Sequence, residues 1–220
     1  MTNEMPFGPW LAESPEFEED SAKRSAELHE EALDALASLQ AGAVISSRPA
    51  ILGNRLVNEA FVLENGEYRY IHHKKYFPQE AGFFEETWFV RGRDGFECHQ
   101  IGPVKVGVLL CTELFFNEYA RRYGRDGADV IVTPRAAGTS TQHWKTAGAM
   151  AATVSGAYFT SANRRGASAS GQEFGGVGFA ISPDGRPLHQ TSDDDPLVIA
   201  TIDLAETRQR KLEYPCYVRE

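Results

Sequence analysis

The apolar and polar positions of the chain alternate between two periods, and the switches between them mark out its elements. Leu28, Ala32, Leu36 and Leu39 recur at helical spacing inside a run rich in Ala, Glu and Leu. That run opens at Ser14-Pro15-Glu16, with Pro15 suited to a first helical position, and is closed by Gly42. Residues 43–47, 58–63 and 68–72 read as strands, the last two joined through Asn65-Gly66, a dipeptide that favours a tight hairpin. Residues 104–110 form an apolar run of the kind buried on both faces. Residues 115–123 return to a helical pattern stopped by Gly124 and Gly127, and residues 130–132 supply a second buried strand. This strand-helix-strand unit places Cys111 where the first strand gives way to loop, the position at which open α/β sheets hold ligands.

Downstream, the pattern predicts a helix of small residues over 142–155 and strands over 158–162, 175–182 and 197–203, with a turn at Pro183-Asp184-Gly185. A short helix from Leu204 and an extended arm at Tyr214-Pro215-Cys216-Tyr217 complete the chain. Residues 1–7 look like the end of a strand turning into a loop, and the aromatic-rich loop over 79–89 reads as a packed wall.

Length and composition narrow the class. A chain of 220 residues with 42% hydrophobic and 24% charged residues suits one globular domain over 1–220. A formal net charge of -9, with no basic stripe, argues against a nucleic-acid partner. The three cysteines, Cys98, Cys111 and Cys216, are an odd number at no metal-like spacing, so neither a disulfide framework nor a metal site is expected. With no signal peptide and no long apolar span, no membrane partner is expected and a cytoplasmic location is predicted.

Cys111 alone reads either as a small core residue or as a nucleophile. A nucleophile needs a base and a stabiliser for the oxyanion it creates. Histidine is the usual partner, and His72, His73, His99 and His143 are available, but none stands in a protease-like context. The other solution is a carboxylate with a lysine, and Glu4 and Lys74, like Cys111, fall at predicted strand ends.

These residues resemble the nitrilase superfamily, carbon-nitrogen hydrolases with a Glu-Lys-Cys triad, over essentially the whole chain. Cys111-Thr112-Glu113 followed by Gly127-Ala128-Asp129 and Pro134 is similar to the cysteine motif. Lys74-Lys75-Tyr76-Phe77-Pro78 is similar to the lysine motif. Glu85, Asn58, Asn163-Arg164, Phe174-Gly175-Gly176 and Pro183-Asp184-Gly185 also fit. The resemblance implies an α-β-β-α sandwich, a homodimer or higher homo-oligomer joined across helix faces, and catalysis without metal or organic cofactor. It implies Glu4 as general base, Cys111 as the nucleophile that forms a thioester, and Lys74 with the Thr112 amide as oxyanion partners. It implies Glu85 as a supporting acid. Lys75 and Glu86 are the competing assignments for Lys74 and Glu85. Glu113 reads as a hydrogen-bonder near the nucleophile or a substrate contact, and Arg135, Asn163 and Arg164 as contacts to a substrate carboxylate or as structural groups. A lysine beside Cys111 is expected to lower its thiol pKa.

The expected substrate is a small amide or N-carbamoyl compound. A true nitrilase is the alternative, disfavoured because Thr112 stands where nitrilases carry Trp. The chain departs from the family at its start, which opens about three residues before Glu4. The family's first strand and helix are therefore expected to be absent, leaving an unpaired sheet edge and Glu4 on a frayed terminus. Two other classes stay open: a catalytically silent binding or scaffold protein, and a Cys–His enzyme using His143 or His99.

Overall fold

The computed structural model describes every residue except Gln40, Asp94 and Glu220. Helix α1 (Glu19–Ala37) lies on a three-stranded antiparallel sheet of β1 (Ala43–Leu52), β2 (Arg55–Glu64) and β3 (Glu67–His73). Leu33 and Leu36 of α1 pack with Val44, Phe61 and Leu63 of that sheet. Because strand side chains alternate between faces, Ala60, Val62 and Ile71 point the other way. They meet Val106, Val108, Val130, Val132 and Tyr158 of a second sheet. Each such side chain, fully buried, contributes roughly 1.5–3 kcal/mol, so this seam is a main source of cohesion.

Between the sheets in sequence come the small hairpin β4 (Gln79–Glu80) and β5 (Phe83–Phe84) and the single-turn helix α2 (Glu85–Trp88). The second sheet then begins with β6 (His99–Ile101), β7 (Val104–Val108), β8 (Val130–Arg135) and β9 (Tyr158–Asn163). A two-stranded ribbon of β10 (Arg165–Ala167) and β11 (Glu173–Gly175) stands apart. The sheet is completed by β12 (Phe179–Ile181) and β13 (Pro187–Gln190), in the order β13-β12-β9-β8-β7-β6.

Strands β7, β8 and β9 are parallel, with Val106 opposite Val130 and Val130 opposite Tyr158. Helices α3 (Asn117–Arg125) and α4 (Gln142–Ser155) make the two crossovers and cover the outer face of this sheet. The result is the four-layer α-β-β-α sandwich that the motifs imply. Gly107 makes the close seating of α3 possible, since a Cβ there would lie 2.5 Å from the Tyr123 ring. Tyr123 also donates its hydroxyl hydrogen to the Val108 carbonyl at 2.7 Å, which locks α3 to the end of β7.

Several local expectations are corrected. Helix α1 begins at Glu19, not at Pro15, because residues 14–18 are pinned to α2: Trp88 Nε1 donates to Ser14 O at 2.9 Å and Phe17 packs on Trp88. The apolar stretch over 175–182 is divided between β11 and β12. Residues 197–203 form no strand, although Val198, Ala200 and Ile202 turn towards Val130 and Val132 and Leu197 and Ile199 face outward. Alternation is present there, but the segment pairs with no strand among the described residues. After α5 (Leu204–Lys211) the tail is a series of turns, not an extended arm. It folds back on its own chain, where Arg121 donates to Val218 O at 2.7 Å.

Candidate active site

Cys111 opens a single 3-10 turn, Cys111–Phe115, just beyond the end of β7. Its φ of 48° lies in the left-handed region, which costs a non-glycine residue on the order of 1–3 kcal/mol and persists only where neighbours impose it. Here Glu113 N donates to Leu110 O at 3.1 Å, the Leu110 amide donates to Glu113 Oε2 at 2.8 Å, and Leu109, Leu110 and Leu114 are buried. The strained turn lifts Cys111 out of the line of the strand.

Three acidic and basic side chains converge beside it. Glu4 is fully buried on a terminal segment tied down by bonds from Glu4 N to Arg135 O and from Met5 N to Ser47 Oγ, at 3.2 and 3.0 Å. This overturns the expectation of a frayed terminus. Its Oε1 accepts from Asn58 Nδ2 at 2.7 Å and from Lys74 Nζ at 2.9 Å, and its Oε2 accepts from the Ala136 amide at 3.1 Å. Lys74 follows β3, and its own amide donates to Asn58 O at 2.9 Å. Lys74 Nζ donates a second time, to Glu85 Oε2 at 2.6 Å. Glu4, Lys74 and Glu85 are all fully buried, and Cys111 keeps 4% exposure.

The charges are interdependent. Burial opposes the Lys74 ammonium, but Glu4 and Glu85 outweigh it and raise its pKa, so this lysine stays charged. Burial, reinforced by Glu4, pushes the Glu85 carboxyl up to about 8 against the pull of Lys74. Glu85 is therefore the carboxyl that keeps its proton near neutral pH. Burial and then Glu4 raise the Cys111 thiol well above its ordinary value, while Lys74 and the Ala136 amide pull it down. Lys74 does pull the thiol down as expected, but desolvation outweighs it, and Cys111 rests protonated. Attack by its sulfur requires a base at the moment of reaction.

The competing assignments separate cleanly in space. Lys75 turns away, its Nζ donating to Gly92 O at 3.1 Å, and Glu86 is exposed. Thr112 is half-buried in the Cys111 turn, where the first amides of a helical turn lack helical partners. Asn163 is spent on the chain itself, accepting from Ala137 N at 2.8 Å and donating to Ala137 O at 3.1 Å. Arg164 likewise holds the terminal loop through Met5 O and Gly8 O at 3.3 and 2.8 Å. Glu113 is fully buried, with its carboxylate hydrogen-bonded to the Lys75 and Leu110 amides and to His72.

Arg135 is buried over the rings of Trp144 and Phe179, donating to Ser161 Oγ at 2.6 Å and Val177 O at 2.7 Å. Its Nη1 is buried without a hydrogen-bond partner, and burial draws its pKa down to about 10. His143 instead pairs with Ser140 Oγ at 3.1 Å and stacks near Phe115. A surface groove of about 800 Å³ between α4 and the β12–β13 hairpin includes none of Glu4, Lys74, Glu85 and Cys111.

Sequence reasoning undervalued Asn58, weighed His72 only as a base for Cys111, and missed the Ala136 amide. Asn58 was legible as a polar residue in an otherwise apolar strand. The Ala136 amide has no side-chain signature, and His72 is one of several histidines. Among the described residues no group of three or more His, Cys, Asp or Glu side chains could hold a metal ion, and no helix is long and apolar enough to cross a membrane.

Residues 13–212 match the carbon-nitrogen hydrolase family, and the chain belongs to it. Glu4 lies ahead of the matched stretch. The chain is 33% identical over 165 residues to a nitrilase of Pyrococcus abyssi, covering 73% of this chain and 59% of that one. It is 25% identical over 163 residues to an N-carbamoylputrescine amidase of Solanum tuberosum, covering 67% of this chain and 54% of that one. The chain thus spans little more than half the length of these relatives. A carbon-nitrogen hydrolase from Helicobacter pylori G27 superposes with a TM-score of 0.83 at 24% identity, over 94% of this chain and 78% of that chain, which establishes the shared fold.

Proposed function

We propose that this chain hydrolyses a small amide or N-carbamoyl compound through a thioester on Cys111. The observation that carries the reading is the buried Glu4–Lys74–Glu85 cluster set against a protonated, strained Cys111. Glu4 takes the thiol proton as Sγ bonds to the carbonyl carbon. Lys74 and the Thr112 amide receive the oxyanion, and Glu85 holds Lys74 in place. The proton passes to the leaving nitrogen, the C–N bond breaks, and ammonia or an amine departs. Water, deprotonated by Glu4, then attacks the thioester, releasing the acid and restoring the thiol. Arg135, with Nη1 unpartnered, keeps a donor for a polar or anionic substrate group.

A homodimer over the outer helices is supported by exposed apolar Phe115 and Met150. The test of the reaction is ammonia release from a panel of amides, N-carbamoyl compounds and nitriles by the wild-type protein and by Cys111→Ala. Release from an amide or carbamoyl compound that vanishes in Cys111→Ala is expected. Release that survives the substitution, or that occurs from nitriles alone, overturns the reading.

A further inference from the structure

One buried carboxylate outside the Glu4–Lys74–Glu85 cluster touches the backbone beside both Lys74 and Cys111. Glu113 is fully buried and accepts three N–H donors. Its Oε1 takes the amide of Lys75 at 2.6 Å, the residue after Lys74. Its Oε2 takes the amide of Leu110 at 2.8 Å, the residue before Cys111. The third donor is His72 Nε2, also on Oε2 at 2.8 Å. His72 Nδ1 faces the Phe96 amide at 3.4 Å, which makes Nδ1 the acceptor and leaves the proton on Nε2. Gly95 closes the back of this ring, since a Cβ there would lie 2.4 Å from His72 Nδ1.

We propose that Glu113, oriented by His72, is a positioning residue that fixes the Lys74 strand end against the Cys111 turn. The role rests on the reading of Lys74 and Cys111 as the reacting pair. Its chemistry calls for a carboxylate, because only an ionised acid presents two oxygens and no hydrogen. A glutamine keeps one acceptor. If that oxygen serves His72 and Leu110, the amide nitrogen is set against the Lys75 N–H, and two donors repel. The Lys75 peptide shifts, and Lys74 moves with it. Other substitutions at this point would likewise loosen the lysine from the cysteine while the two sheets stay packed through their own apolar seam.

The test is alkylation by iodoacetamide at pH 8, followed residue by residue by peptide mass spectrometry, with Cys98 as internal control. Cys98 is half-buried, its thiol held up to about 11 chiefly by burial, and its Sγ faces Tyr123 O at 3.9 Å. In Glu113→Gln, displacement of Lys74 removes a charge that favours the Cys111 thiolate, and Cys111 alkylation is expected to slow about tenfold with Cys98 unchanged. With the amide that the wild type turns over fastest, kcat is expected to fall about 100-fold with KM changed less than about 3-fold, the effect of a small misplacement of reacting groups. A merely structural role would loosen the fold and speed both cysteines together, and that result overturns the proposal, as does an unchanged Cys111 rate.

Where Glu113→Gln does not fold, His72→Leu and His72→Gln make the same comparison. Loss of the donor in His72→Leu slows Cys111 alkylation about 5-fold, the worth of one hydrogen bond, and His72→Gln, which keeps an N–H, restores it to within about 2-fold. Equal rates in the two His72 variants overturn the proposal. The alkylation result stands apart from turnover: a wild type that hydrolyses no amide would end the hydrolase reading and leave the positioning role to be decided by the two cysteine rates.

Discussion

Replacing Lys74 by methionine, similar in reach but uncharged, removes the cation shared by Glu4 and Glu85 at 2.9 and 2.6 Å. All three side chains are fully buried, so water cannot replace the lost partner. Breaking a buried ion pair from one side costs about 3–5 kcal/mol, and for a chain of this size that converts to a fall in melting temperature of about 6–20 °C. The fall depends on pH with a definite sign. Burial raises the Glu85 carboxyl to about 8 against the pull of Lys74, and without Lys74 it rises further above its unfolded value. Groups shifted in that direction contribute stability that is complete below the unfolded pKa and is lost as pH rises through the folded one. The gap between Lys74→Met and wild type is therefore level up to about pH 8 and widens above it, where Glu85 has ionised in the wild type but not in the variant, and adding Glu85→Gln removes the widening. Thermal unfolding followed by circular dichroism across this range measures the effect. A variant melting within about 2 °C of wild type at pH 7.5, or a gap that widens towards acid, would refute the reasoning.

The wild type carries a milder form of the same dependence. With Glu85 raised to about 8, its contribution is complete below the ordinary carboxylate range and is lost as pH climbs through about 8, so Glu85→Gln should flatten the alkaline limb of a stability–pH curve. Glu59 gives the opposite limb: despite burial, bonds from His73, Tyr68 and Arg48 hold it down to about 2. Its contribution is present above the unfolded value near 4.5 and is lost as pH falls towards about 2, and Glu59→Gln should remove that acid slope. Gly107→Ala forces a methyl to 2.5 Å from the Tyr123 ring and should cost about 1–3 kcal/mol in urea unfolding, whereas an unchanged midpoint would show that α3 is free to move.

Much of this arrangement was legible in the sequence because local pattern and tertiary packing agree. Helix α4 falls over the residues predicted for it, since Gly148 and its alanines can only be placed against a sheet. The β7-α3-β8 unit was readable because both strands are covered on both faces and so are continuously apolar. The lysine and cysteine motifs placed Lys74 and Cys111 at strand ends, where the structure brings Lys74 to Glu4 and Glu85. What could not be read depended on contacts distant in sequence. Residues 197–203 alternate like a strand, but strand identity requires a partner's ladder as well as alternation. The lysine's pull on the Cys111 thiol was visible in the motifs, but the burial that outweighs it was not. Asn163 and Arg164 carried the right chemistry for substrate binding, but their hold on Ala137, Met5 and Gly8 could not be read from the chain.

The most direct measurement of the central claim is capture of the covalent intermediate. The protein is mixed with the amide it turns over fastest, quenched in acid within the first turnovers, digested and mapped by mass spectrometry. An acyl group is expected on the Cys111 peptide, labile to hydroxylamine, absent from Cys111→Ala and absent from Cys98 and Cys216. It is not expected to form at a measurable rate in Glu4→Gln, because the buried thiol then has no base to take its proton. Sustained ammonia release with no acyl group on Cys111 at any quench time, or an acyl group on another residue, would contradict it.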